Sequence, residues 1–215
     1  MTVQYSNEVL DSLIAPSVSL FESAEIPDMS NYAKESAYWM SNYFLNSLFR
    51  AKYHFPMSAY AYNFLRRAQF AFSEHDHARQ ATAEFLSKGK QSPAIYAKAL
   101  FHWECFLGQA WDAYALLVTA WEGRAFERND GSIEQRLNSI YNQMKHVESR
   151  IESGQLLPNA TVPVWLDNNG LRSIDNTLSY EETAEILKDL AKYADALSDP
   201  FTAKNKLNEP HEDAS

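Results

Sequence analysis

The chain has 215 residues, 46% hydrophobic and 22% charged, the proportions of a globular protein and not of a disordered or fibrous one. Nineteen Lys and Arg against 28 Asp and Glu leave a formal charge of −9, which counts against broad binding of nucleic-acid phosphates and against adhesion to anionic membranes. With only 6 Gly and 8 Pro there is too little punctuation for a sandwich or barrel of many tight turns, so helices are expected.

Residues 1–29 read as an irregular lead-in carrying a short helix, with Pro16 and Pro27 interrupting short apolar pieces. Glu8, Asp11, Glu22 and Glu25 fall where a secretory leader would need a basic start and an apolar run, so none is expected. From Ser30 the pattern turns helical: Tyr32, Ser36, Trp39, Tyr43, Leu45, Leu48 and Phe49 keep spacings of three and four until Pro56. Helices are predicted over 57–73 and 77–88, with Glu74-His-Asp-His77 as a polar loop between them. Ser92-Pro93 is a start signal, serine as N-cap and proline at the first helical position, for a long helix to Trp121.

Asp130-Gly131 predicts a turn, and Ser132 with Gln135 has capping-box spacing for a helix from 132 to Gly154. Residues 154–178 break the helical pattern. Val162-Pro-Val-Trp-Leu166 and Asp167-Asn-Asn-Gly170 suggest an extended piece or hairpin. A second capping box, Ser179 with Glu182, opens a last helix to about Leu197, and residues 199–215 read as a disordered tail. The expected fold is all-α: one bundle over 30–198, of about five to six helices, with a short loop or hairpin excursion before the last. The single Cys105 excludes an intramolecular disulfide, and no run of 18 apolar residues offers a membrane span. A cytoplasmic protein is expected.

Glu74 and His77 have Glu-x-x-His spacing, but a di-iron bundle needs two such motifs plus glutamates on two further helices. No second motif exists, so no metal centre and no cofactor is expected. Glu104 and Asp112, eight residues apart on the long helix, lie near one face and are candidate supporting carboxylates. No nucleophile elbow, Walker sequence or dinucleotide-binding glycine motif occurs. The aromatics between Tyr32 and Phe72 read as core with tyrosines at the rim, and secondly as a dimer interface; base stacking ranks last on an acidic chain.

The helix from Ser132 carries the richest pattern. Ile133, Leu137, Ile140, Met144, Val147 and Ile151 form its apolar stripe. Beside them fall Arg136, Ser139, Asn142, Gln143, His146 and Arg150, with Asn142 and His146 one turn apart and Arg136, Gln143 and Arg150 repeating every seven residues. This is a locally basic strip, able to hold a phosphodiester while histidine moves a proton. The other reading is a solvated face with one partly buried histidine.

Tyr141-Asn-Gln-Met-Lys-His146, on a late helix of an α-bundle, resembles the Arg-Asn-x-x-x-His signature of HEPN domains. The likeness extends over Ser132–Leu197, with the motif inside 132–153. It implies two protomers that bring their histidines together, and in active members a metal-independent endoribonuclease of toxin–antitoxin, CRISPR or phage-defence systems. On that pattern Asn142 falls on the polar position and His146 on the histidine, but Tyr141 stands where the family has arginine. Arg136 lies too far from His146, and Arg50 and His54 too close, to repair the spacing. If the resemblance holds for activity, His146 is general acid or base, Asn142 orients the phosphate, and Arg136, Lys145 or Arg150 offsets its charge. Tyr141, Glu104 and Asp112 would support them.

The expectation is a weakly active or inactive HEPN-like RNA-binding or accessory component of a defence or toxin–antitoxin system. It is a homodimer, with RNA contact confined to the Arg136–Arg150 helix and no membrane contact. The alternatives are an active ribonuclease using Arg136 or Lys145, and an interaction subunit that binds a larger protein through its aromatic helices.

Overall fold

A computed structural model describes residues 7–89 and 92–201. Seven α-helices appear among them: α1 (Asn7–Leu13), α2 (Ser30–Phe49), α3 (Met57–Glu84), α4 (Pro93–Ala120), α5 (Ile133–Lys145), α6 (Val147–Glu152) and α7 (Tyr180–Ser198). A three-stranded antiparallel sheet, β1 (Val164–Leu166), β2 (Gly170–Ser173) and β3 (Thr177–Ser179), precedes α7. The helical bundle is therefore present, but the excursion is a small sheet and the chain is not purely α. None of the described helices is long and apolar enough to cross a membrane.

The spine is α3 against α4, each of 28 residues and so about 42 Å long at 1.5 Å per residue. Their cross-links run antiparallel: Lys98 to Glu84, the Trp103 indole to Thr82, and Arg67 to Gln109. Small residues line the seam, with Ala61, Ala68, Ala71, Ala78 and Ala81 on α3 and Ala99, Ala110 and Ala113 on α4, all buried. Without long side chains at those positions the backbones approach closely, and Phe64, Phe72, Trp103 and Phe106 fill the remaining space. Helix α7 closes the core through Ala184, Leu187, Leu190, Ala191 and Ala194.

The expected break at Glu74–His77 is absent, because nothing there stops a helix. The segment holds no Gly or Pro, and its polar side chains pair at helical spacing: Glu74 with His77, and Asp76 with Arg79 and Gln80. Helix α3 runs through it and relaxes into a wider turn at Phe85–Gly89. His75 faces inward, edge-on to Trp103 and Phe106, its Nε2 3.2 Å from the Thr183 hydroxyl. That hydroxyl donates to the Tyr180 carbonyl, so His75 Nε2 donates to it and Nδ1 is left without a hydrogen-bond partner. Burial pushes the imidazole down to about 4, against weaker help from Asp76 and Asp28, and it is neutral at pH 7.

The single helix expected over 132–154 is two. His146, at φ −114° and ψ 37°, ends α5, and α6 starts at the next residue. Ser132 caps α5 by accepting from Gln135 N–H, but the Gln135 side chain accepts from Gly131 N–H, so the box is half formed. At Ser179 both halves are present. Ser92 precedes α4 without a side-chain cap, leaving Pro93 as the start signal.

The sheet pairs Val164 with Ser173 and Gly170 with Ser179. Asp167 builds the first turn by accepting from the Asn169 and Gly170 amides. Gly170 must lack a side chain, since a Cβ there would run into the Leu178 carbonyl and the Ser179 backbone. The lead-in is tied down: Leu10, Ala15, Val18 and Phe21 are buried in the common core, and Thr161 N–H donates to the Ile14 carbonyl. Of the expected tail, residues 202–215 lie outside the described residues; Asp199 accepts from the Arg50 guanidinium, which stacks on Phe201.

Candidate functional site

The break between α5 and α6 leaves the His146 side chain 56% exposed. Its Nδ1 lies 3.9 Å from Glu148 Oε1, so a carboxylate stands beside it. One turn earlier the Asn142 amide donates to Asn138 at 2.9 Å and stays at the surface. Lys145 lies 5.7 Å above the Tyr141 ring, and neither it nor Arg150 forms an ion pair within the described residues.

Tyr141 is not a surface substitute for arginine. Its ring leans on Trp111 of α4, close enough to Gly108 that a Cβ there would touch it, and burial, with Asp112 nearby, raises its hydroxyl pKa. The phenol therefore carries no charge toward His146 at neutral pH.

Arg136 is committed elsewhere. Its guanidinium forks onto the Glu182 carboxylate and donates to the Thr177 carbonyl at 3.0 Å and the Gly131 carbonyl at 3.2 Å. It thereby locks α5 to β3 and to the capping box of α7. Ten residues of helix also separate it from His146 by about 15 Å. Burial raises the Glu182 pKa, but Arg136 and the Ser179 amide outweigh it and hold the carboxyl below its usual range.

Gln143, expected on the basic edge, is buried and donates to Ser173 Oγ at 3.0 Å, fastening α5 to β2. The seven-residue repeat thus splits into one locked arginine, one buried amide and one surface arginine. Glu104 and Asp112 are about 12 Å apart along α4. Asp112 pairs with Arg67, and burial raises the pKa of the Glu104 carboxyl. They do not form one acid–base pair, and only Asp112 comes near Tyr141.

The aromatic segment divides. Trp39 and Tyr43 of α2 and Phe64 and Phe72 of α3 are core, with the Trp39 indole donating to Asp195 at 2.6 Å. On the opposite face of α2, Tyr38, Leu45, Leu48 and Phe49 are exposed, the last two at 76% and 80%, and Phe55 just beyond reaches 84%. No charged residue occurs from Ser36 to Phe49. Periodicity alone could not divide these aromatics, because α2 is apolar on both faces.

Comparison with protein-family models, curated proteins and solved structures gave no match.

Proposed function

We propose that the protein is a HEPN-like helical subunit that works by association, and that the exposed face of α2 joins two copies of the chain. The observation that carries this reading is the stripe Tyr38, Leu45, Leu48 and Phe49, with Phe55 exposed a few residues further along the chain. At the exposures observed these side chains offer on the order of 600 Å² of largely apolar area, taking ~150–250 Å² for a large aromatic. Monomers seldom leave more than a few hundred Å² of contiguous apolar surface in water. A second copy is the favoured occupant because the stripe is free of charge over fourteen positions. A neutral face needs no oppositely charged partner, and a two-fold axis lets one such face cover itself. Asn42 and Ser41 on the same surface supply neutral hydrogen-bonding groups at its rim.

The same reading makes RNA cleavage a minor or absent activity. Stabilising a pentacoordinate phosphorane needs preorganised donors, commonly worth about 3–4 kcal/mol each, and a cation serves best. Arg136 is held by Glu182, Tyr141 is a packed phenol, and Glu148 faces His146. Lys145 and Arg150, free of carboxylate partners within the described residues, support a weaker second reading: local contact with one or two RNA phosphates. That contact would show a shallow salt dependence, about −0.7 in log–log slope per phosphate on a single strand.

The test uses tagged and untagged copies of the chain expressed together. Leu48→Glu with Phe49→Glu should abolish their co-purification without loss of helical circular dichroism, and His146→Ala should leave it unchanged. Retention by the double variant, or loss on His146→Ala alone, overturns the association reading; metal-free RNA cleavage that His146→Ala abolishes overturns the non-catalytic one.

A further inference from the structure

Away from His146, the α3–α4 pair gathers side chains whose chemistry the chain order conceals. Glu74 and His77, three residues apart, project from one face of α3, and His102 reaches the same place from α4. Glu74 Oε2 is 2.8 Å from His102 Nδ1, and Glu74 Oε1 is 3.6 Å from His77 Nδ1. The two imidazole centroids are 5.2 Å apart. One donor atom from each of the three residues lies within 4.8 Å of the other two. We propose that Glu74, His77 and His102 bind a single divalent transition-metal ion, with zinc as the reference ion.

The donor set selects the ion. Two imidazole nitrogens and one carboxylate oxygen suit zinc and its first-row neighbours and suit magnesium or calcium poorly, since those prefer all-oxygen shells. The spacing fits as well. Bonds of about 2.0–2.1 Å place neighbouring ligands of a tetrahedral zinc about 3.3 Å apart, and one donor atom from each residue already lies within 4.8 Å of the others. His77, with its side chain half-exposed, has room for the small rotation that would bring the three donors to bonding distance.

The surroundings supply a firm floor and an open mouth. Glu74 and His102 are about a fifth exposed and stand on the packed α3–α4 pair, each next in the chain to a buried residue of its core, His75 and Trp103. His77 and Phe101 border solvent. Three protein ligands with an open side leave at least one position for water, the arrangement of a reactive or exchangeable site and not of a closed structural one. Without an ion, one carboxylate has to satisfy two adjacent imidazoles, and it approaches only one of them closely. A cation placed among the three draws on all of them. This inference uses no part of the association reading and does not depend on it.

The experiment is zinc titration by calorimetry of the full chain after chelator treatment, with cobalt(II) absorption as a second readout of nitrogen and oxygen coordination. One zinc per chain is expected, with a dissociation constant on the order of micromolar or tighter. His77→Ala, the substitution least able to disturb the core, and His102→Ala should each weaken binding at least tenfold. His54→Ala and His146→Ala should change it less than twofold. No uptake by the wild-type chain at about 100 µM zinc, or unchanged affinity in folded His77→Ala, overturns the proposal.

Discussion

Among the described residues, histidines gather on the α3–α4 pair and one stands alone at the α5–α6 junction, and the two places are supported in opposite ways. On α3–α4, His75, His77 and His102 sit on or over a fully packed seam, and each has a partner: Thr183 for His75 and Glu74 for the other two. On α5–α6, His146 stands at a helix break, with a carboxylate 3.9 Å away and the nearest arginine-like position taken by a packed tyrosine. The single-helix pattern around His146 has the weaker geometry, and the stronger geometry rests on a short Glu-x-x-His spacing that only His102, from the next helix, completes. Chemistry is set by what neighbouring helices bring to a residue, and spacing along one helix supplies only part of it.

The comparison can be broken most forcefully at Trp103, the floor of the first region. Trp103→Ala should cost about 3–5 kcal/mol in urea unfolding, since it opens a cavity under His75 and leaves the buried Thr82 hydroxyl without its donor. A cost below about 1 kcal/mol would mean that the seam is not packed as described. Gly170→Ala should cost about 1–3 kcal/mol by forcing β2 away from Leu178, with the loss read from the same unfolding curve.

Arg136→Ala tests whether that side chain is a structural lock. It should lower stability by about 1–3 kcal/mol, because Glu182 loses its charged partner and the Thr177 carbonyl loses the guanidinium donor. Any binding of short single-stranded RNA should be unaffected, and a large loss of RNA affinity at unchanged stability would return Arg136 to the phosphate-binding set. The pH dependence follows from the same pair. The Glu182 pKa is lower in the folded chain than its ordinary 4.5, so its contribution is complete above about pH 4.5 and fades as pH falls through the folded value. Arg136→Ala should flatten the stability profile in that acid window, and parallel profiles would contradict the assignment. The smallest effect belongs to His146→Ala, within about 0.5 kcal/mol of wild type, as expected for an exposed side chain.

Much of the bundle could be read from periodicity and punctuation. Ser179 with Glu182, Ser92-Pro93 and the Asp167–Gly170 turn carry local chemistry that acts over three or four residues, and the elements they announce are present. The missed elements depend on less local effects. Glu74–His77 reads as a loop when polarity alone marks a break, although its side chains pair at helical spacing and no Gly or Pro there stops a helix. The interruption at His146 has no Gly or Pro to announce it. The third strand follows from pairing with β2, which composition does not express.

The candidate site was legible only in part, for the same reason. Asn142 and His146 are both exposed, but His146 has left the helix that their four-residue spacing presupposes. Arg136 and Gln143 looked equally available, and tertiary partners 46 and 30 residues away remove both. Conversely, His102 lies 28 residues from Glu74, and no spacing rule joins residues across an interhelical seam. The exposed stripe of α2 was hidden among aromatics that do enter the core.

Association through α2 is tested most directly by the solution mass of the purified chain, measured by sedimentation equilibrium over a dilution series from about 100 µM to about 1 µM. The account predicts twice the chain mass at the upper end and a single chain mass for Leu48→Glu with Phe49→Glu throughout. A wild-type chain that stays monomeric across the series would contradict it.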